Sequence, residues 1–331
     1  MNVLVLGGTV FLGRHLVDAL LAYDHSVTIF NRGTHDVSFA KPVTRIVGDR
    51  RSGADLARIP QAGWDAVLDL ITEAPEVIRA SADHLCAADR YVYVSSVSVY
   101  RDLSTPGNTE DSPIFAPDAG PFDDEAAQYG WRKARSEEAV RDVFGDARST
   151  IVRPGLIVGP NDPSDRFSAW PRRFAAGGTA VVPAPAERAV QFIDARDVAE
   201  FIIRLIEHSI GGTFNVTSPR GAISMADVVA ACRANIDDPA HAAYVSADFL
   251  ADRGIEGWID LPLWISPRIP YGGIMDVDVS RALAAGIAYR SLADTLEATR
   301  AWLRDAPEPE TRAGLSFEVE AELLRAWKSA S

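Results

Sequence analysis

The opening residues NVLVLGGTVFLGRHLV constrain this chain more than any other stretch, because an apolar run turns through glycine straight into an amphipathic helical pattern. Glycines at such a turn let the backbone approach a phosphate closely, and the first amides of the helix meet its charge. Gly7 and Gly13 hold the outer positions of a glycine-x-x-glycine-x-x-glycine pattern, while Val10 places a branched side chain in the middle one. Together with Thr9, Phe11 and Leu12 they are candidates to hold a pyrophosphate. Taken alone, the turn is also compatible with a plain strand-to-helix connection.

Apolar runs alternate with helical patterns through the first 160 residues: NVLVL, LGRHLVDALLAY, SVTIF, TRIVGD, WDAVLDLI, RYVYVSSV and STIVRPGLIV. The strand-like runs are continuous in Val, Ile and Leu, as strands covered by helices on both faces must be. The predicted fold class is α/β, a Rossmann-type doubly wound parallel sheet with a smaller, interleaved C-terminal substrate lobe. Residues 1–158 are expected to form the dinucleotide-binding domain, completed by about 189–219, where AVQFID and TFNV return around the helix EFIIRLIEHS. Residues 159–188 and 220–331 are left to the lobe. Its first part, PNDPSDRFSAWPRRFAAGGTAVVPAPAERA, reads as loops with one short helix. Helices follow at MADVVAACRA, SLADTLEATRAWLRD and SFEVEAELLRAWKS.

Composition narrows the partners. With 331 residues, 47% of them hydrophobic, the chain can bury a large core and a dependent lobe. A formal net charge of -13 repels a phosphate backbone, so no nucleic-acid partner is expected. Cys86 and Cys232 lie far apart, without disulfide or zinc spacing, and are expected to be buried reduced thiols. The six histidines show no metal spacing, and no metal is expected. No apolar stretch of about 18 residues occurs and the first run is too short for a signal peptide, so no membrane partner and a cytoplasmic location are expected.

Two further places carry chemistry. At the end of the second strand, Asn31 and Arg32 stand where an acidic residue would accept from an adenosine ribose; a neutral amide and a cation suit a 2′-phosphate instead. NADP(H) is therefore preferred, with NAD(H) possible. Asp49 is placed to accept from the adenine amine, and Arg50 beside it is assigned to the same cofactor. The third constellation is catalytic: Ser95 and Ser96 close YVYVSS, and Tyr129 with Lys133 stand at i and i+4 in YGWRK. On a helix that spacing puts both on one face, where Lys133 can lower the phenol pKa and hold a ribose while Tyr129 moves a proton. Ser96 would hydrogen-bond the same substrate oxygen, and Ser95 is assigned to the cofactor.

These residues, with RPGLIVGP at 153–160 and QFIDARDVA at 191–199, resemble the extended or atypical short-chain dehydrogenase/reductase superfamily, of the NAD-dependent epimerase/dehydratase type. The resemblance covers at least residues 1–217. It implies Ser96, Tyr129 and Lys133 as the catalytic set, Pro154 beside the nicotinamide, and a homodimer through helices near 76–88 and 126–144. Sugar-nucleotide 4,6-dehydratases resemble one another in a Thr-Asp-Glu run where this chain has Ser96, Val97 and Ser98, so dehydration is disfavoured.

Arg166 and Trp170, after the glycine-proline break, are candidate substrate residues. Asp194, Arg196 and Asp197 are read as structural, and Trp258, Trp264 and Trp302 as lobe packing. The expected function is an NAD(P)(H)-dependent reductase or epimerase acting on a secondary alcohol or ketone carbon of a small molecule. The alternatives are a nucleotide-sugar epimerase with tightly bound NAD and a non-catalytic dinucleotide-sensing or RNA-binding protein.

Overall fold

The structure is a computed structural model and describes residues 1–255, 257–306 and 313–330. In chain order the first half contains β1 (Asn2–Leu6), α1 (Leu12–Ala22), β2 (Ser26–Asn31), β3 (Thr44–Val47), α2 (Gly53–Leu56), β4 (Ala66–Asp69), α3 (Pro75–His84), β5 (Tyr91–Val94), α4 (Glu125–Arg148) and β6 (Ser149–Pro154). The second half adds β7 (Leu156–Val158), α5 (Ala169–Ala175), β8 (Thr179–Ala184), β9 (Phe192–Asp194), α6 (Ala195–Glu207), β10 (Gly212–Val216), α7 (Met225–Arg233) and β11 (His241–Ser246).

Seven strands form one sheet in the order β10-β6-β5-β4-β1-β2-β3, and every neighbouring pair is parallel. The continuous apolar run of β1 now has its reason. Val3 and Val5 pack on one face with Leu16, Val17 and Leu20 of α1 and Ile202 and Ile206 of α6. Leu4 and Leu6 point to the other face, against Ile78 of α3 and Val140 and Phe144 of α4. All four β1 residues are completely buried, which a strand achieves only when both faces are covered. The chain order reverses between β1 and β4, and at such a switch point the loops part to leave a crevice outside the carboxyl ends of the strands.

The lobe departs from expectation in three ways. STIVRPGLIV is two strands, split at Gly155, where an added Cβ would lie 2.8 Å from the Thr217 hydroxyl. Of the two late runs, only β10 joins the main sheet; β9 instead pairs with β7 in a separate two-stranded sheet. The stretch expected to be loops contains β8, paired in parallel with β11. Ala180, Val181 and Val182 are buried there, a run too short and too closely flanked by glycine and proline to stand out in the sequence. Asp194 caps α6 through the Arg196 amide and also accepts from the Arg196 guanidinium and the Thr295 hydroxyl, and the Asp197 carboxylate accepts from the Arg290 amide. Cys232 is buried, but Cys86 is exposed, because it falls just past the last turn of α3. Among the described residues no helix is long and apolar enough to cross a membrane, and no cluster of three His, Cys, Asp or Glu could hold a metal.

Candidate active site

The carboxyl ends of β1, β2, β4, β5 and β6 border a cleft of about 1510 Å³, closed on its far side by residues 257–275 of the lobe. Single-ligand pockets span roughly 300–1,000 Å³, so this cleft has room for two ligands side by side.

Its first wall is the glycine turn. Gly7 and Gly8 adopt φ of 112° and 92°, a region open mainly to glycine. At Gly13 an added Cβ would lie 2.8 Å from the Gly8 Cα, so α1 can meet the turn this closely only with glycine on both sides. Gly8 was not singled out by the pattern, although its neighbour was. Asp124, Asp194 and Ser224 cap α4, α6 and α7, but no side chain caps α1. An uncapped amino end beside a backbone cradle suits the diphosphate of a dinucleotide. Val10 is 47% exposed, so its branched side chain points out of the turn into the cleft mouth. Thr9, Phe11 and Leu12 line the same wall.

The cofactor candidates at the ends of β2 and β3 divide. Asn31 is engaged by the backbone: its amide donates to the Gly7 carbonyl at 3.1 Å and its carbonyl accepts from Gly33 N at 2.9 Å. It therefore shapes the glycine turn. Arg32 is exposed at the cleft wall, and Asp49 lines it too. Arg50 is buried, with both terminal nitrogens 2.7 Å from the Asp69 carboxylate and Nε 3.1 Å from the Ser81 hydroxyl. Burial opposes its charge, but Asp69 keeps the guanidinium pKa above its ordinary value. Since the Tyr91 hydroxyl donates to the same carboxylate at 2.6 Å, Arg50 braces the floor of the cleft.

At the end of β5, the Ser96 hydroxyl donates to the Ser98 hydroxyl at 3.0 Å and accepts from Ser98 N at 3.1 Å. Tyr129 enters the cleft from the first turn of α4, 38% exposed. Loss of solvent raises its phenol pKa, whereas hydrogen bonding by Ser96 and Thr72 and the charge of Arg166 pull it down. Thr72 escaped the sequence reading, yet a polar residue just after β4 lies at the switch point, where ligands gather. Lys133 lies one turn on, buried, donating to the Val94 carbonyl at 2.8 Å with its ammonium 4.9 Å from the Tyr93 ring centroid. Burial lowers its pKa to about 8, against the pull of Asp69 and Glu137.

Glu137, the next turn of α4, is fully buried and anchors this arrangement. It accepts from the Ser95 hydroxyl at 2.6 Å and from Arg153 at 2.8 and 2.7 Å. Ser95 thus lines the cleft with its hydroxyl committed, and Pro154 lines it at the end of β6.

From the lobe, Arg166 lines the cleft and Trp170 does not. The Trp170 ring is buried in the lobe core beside Phe174, its Nε1 donating to the Pro262 carbonyl at 2.9 Å, so the substrate role expected of it passes elsewhere. Trp258, read as packing, partly is so, but it also faces the cleft, with the Arg166 guanidinium 4.7 Å from its ring centroid.

A glycine turn, a serine and a Tyr-x-x-x-Lys pair thus face one cleft. The chain belongs to the NAD dependent epimerase/dehydratase family, whose model matches residues 3–217. It is 26% identical to the epimerase family protein SDR39U1 of Bos taurus, over 77% of this chain and 88% of that one. It is 30% identical to the 2′-dehydrokanamycin reductase of Streptomyces kanamyceticus, over 55% of this chain and 51% of that protein. With the chloroplast stem-loop binding protein of 41 kDa b of Arabidopsis thaliana it shares 23% identity, over 66% of this chain and 59% of that one. The chain thus spans little more than half of the latter two proteins. In structure it resembles UDP-glucuronic acid 4-epimerase from Bacillus cereus in complex with NAD, with a TM-score of 0.64 and 17% identity over 92% of this chain and 99% of that one.

The depressed Lys133 pKa gives a test. The unfolded lysine keeps its proton to about 10.5 and the folded one only to about 8, so the unfolded chain holds more protons between those values. Stability lost to the buried charge below pH 8 is regained as pH rises. Between pH 7.5 and 10, wild type should gain on the order of 2 to 3 kcal/mol relative to Lys133→Met in denaturant unfolding. Parallel pH profiles for the two would show that the ammonium is not desolvated.

Proposed function

We propose that the protein is an NADP(H)-preferring reductase of a small-molecule carbonyl, running in reverse on the secondary alcohol, with Ser96, Tyr129 and Lys133 as its catalytic set. The observation that carries this reading is the meeting of Ser96 and Tyr129 in one cleft with the glycine cradle. A nicotinamide bound there supplies or accepts the hydride. Gly7, Gly13 and the residues between them hold the diphosphate, with Arg32 on the 2′-phosphate and Asp49 on the adenine amine. Lys133 holds the ribose and lends positive potential to the phenol. Tyr129 gives its proton to the carbonyl oxygen, and the Ser96 hydroxyl, turned from Ser98 to the bound substrate, donates a second hydrogen bond to that oxygen.

The Streptomyces relative, named as a reductase, supports this direction. The Bacillus cereus neighbour, an epimerase with NAD, supports a second reading in which NAD stays bound and the alcohol is oxidised and re-reduced on one enzyme. Cofactor retained through purification, with no turnover of added NADPH, would select it. An RNA-binding role, raised by the name of the Arabidopsis relative, is opposed by the net charge of -13.

A homodimer through the outer faces of α3 and α4 belongs to the same proposal. A monomer at micromolar concentration in light scattering rejects it.

Two substitutions test the chemistry. Arg32→Ala removes a charge-assisted contact worth about 1.5 to 3 kcal/mol, so NADPH affinity should fall roughly tenfold to a hundredfold while NADH affinity holds. Equal weakening of both in a fluorescence titration removes the 2′-phosphate assignment. Tyr129→Phe keeps the ring and loses only the proton donor, so turnover should fall about a hundredfold to ten-thousandfold with NADPH binding unchanged. Unimpaired turnover would overturn the mechanism.

A further inference from the structure

On the substrate side of the cleft one cation makes no ion pair. Arg166, in the loop between β7 and α5, is half-buried, and its Nε is shielded from solvent without a hydrogen-bond partner. Among the described residues no ion pair engages it. The nearby Asp162 is itself buried; its Oδ1 is turned to the amide and hydroxyl of Ser164, at 2.8 and 2.7 Å, and its Oδ2 has no hydrogen-bond partner, so its charge favours the guanidinium from a distance without pairing with it. A desolvated cation without a paired carboxylate is costly, and a cleft retains one at least cost where a ligand brings the anion. The guanidinium lies over the Trp258 ring, 4.7 Å from its centroid, and Trp258 is held at φ 73°, a conformation that bulky residues rarely adopt.

The surrounding wall is apolar: Ile265, Ile269, Ile274 and Met275 line the cleft on the lobe side. A nucleoside diphosphate needs several donors on two phosphates, and here Arg166 is joined on this side only by the exposed Arg101 among the lining cations. One arginine beside an apolar wall suits one anionic group on an apolar body.

We propose that Arg166, stacked on Trp258, is the specificity-determining residue, and that it takes the carboxylate of an amphipathic keto acid or hydroxy acid whose apolar body lies against the isoleucine and methionine wall. The inference rests on the reductase reading and on its cofactor site. The ketone of such an acid would be reduced by NADPH, the proton coming from Tyr129 and being replaced from water.

The test is calorimetric titration of the NADP⁺-loaded protein with phenylpyruvate, with 4-methyl-2-oxopentanoate, with the methyl ester of each, and with UDP. At least one free acid should bind, about tenfold or more tighter than its ester. Arg166→Gln should bring that acid down to its ester's affinity, leaving the ester and NADP⁺ unaffected, and Arg166→Lys should restore only part, since an ammonium cannot repeat the bidentate fork. Equal binding of acid and ester, no binding of either acid at millimolar concentration, or UDP as the tightest ligand each overturns the carboxylate assignment. Failure of the wild-type protein to bind NADP⁺ or NADPH in a separate titration would instead strike the reductase reading beneath it.

Discussion

Glu137 has no solvent contact and four hydrogen-bond donors turned toward it, from Ser95, Arg141 and twice from Arg153. A carboxylate in such a place cannot be left alone: stripping its partners exposes a buried charge at a cost of about 3 to 5 kcal/mol. Its satisfaction fixes three elements at once. Arg153 comes from β6, Ser95 from the end of β5, and Glu137 itself from α4, so the helix bearing Tyr129 and Lys133 can dock on the sheet in only one register. Arg153 reaches further, to the Tyr100 hydroxyl at 3.1 Å, which in turn donates to Asn215 of β10 at 2.6 Å. The edge strand contributed late in the chain is thereby tied to the active-site helix.

On this frame one face of α4 carries two groups in opposite surroundings. Tyr129 is 38% exposed and projects into the cleft near the start of the helix. Lys133 is withdrawn behind it, its charge tolerated because the Val94 carbonyl, the Tyr93 ring and the fields of Asp69 and Glu137 surround it. The Arg50–Asp69 pair beneath the cleft thus has a second effect, since Asp69 is the strongest of the charges that favour the protonated lysine.

How far the sequence discloses this follows from what each residue does locally. The parallel sheet is legible because β1, β2, β4 and β5 are apolar on both faces, and the shared face of Tyr129 and Lys133 because four-residue spacing on a helix needs no tertiary knowledge. Asn31 illustrates the limit: its position at the end of β2 reads as a ribose contact, but its side chain is spent on the Gly7 carbonyl, a contact between residues 24 apart in sequence. Arg50 looks like a free cation until β4 brings Asp69 beneath it. Trp258 and Trp170 exchange their expected places, because which face of an irregular lobe segment meets the cleft depends on packing that neither periodicity nor composition encodes. β8 and β11 were hidden for the same reason, each finding its partner only across the lobe.

The split at Gly155 has a consequence for how this chain could be cut or recombined. One continuous stretch, Ser149–Val158, serves the main sheet through β6 and the lobe's small sheet through β7, with a single residue between them. The chain then returns from β9 in the lobe to β10 in the main sheet. The two halves are therefore laced together rather than strung in series. Separation at residue 158 would leave the large sheet without an edge and the small sheet without a strand, so new specificities on this scaffold are to be sought by exchanging the segments that hang from the lacing, not the halves themselves.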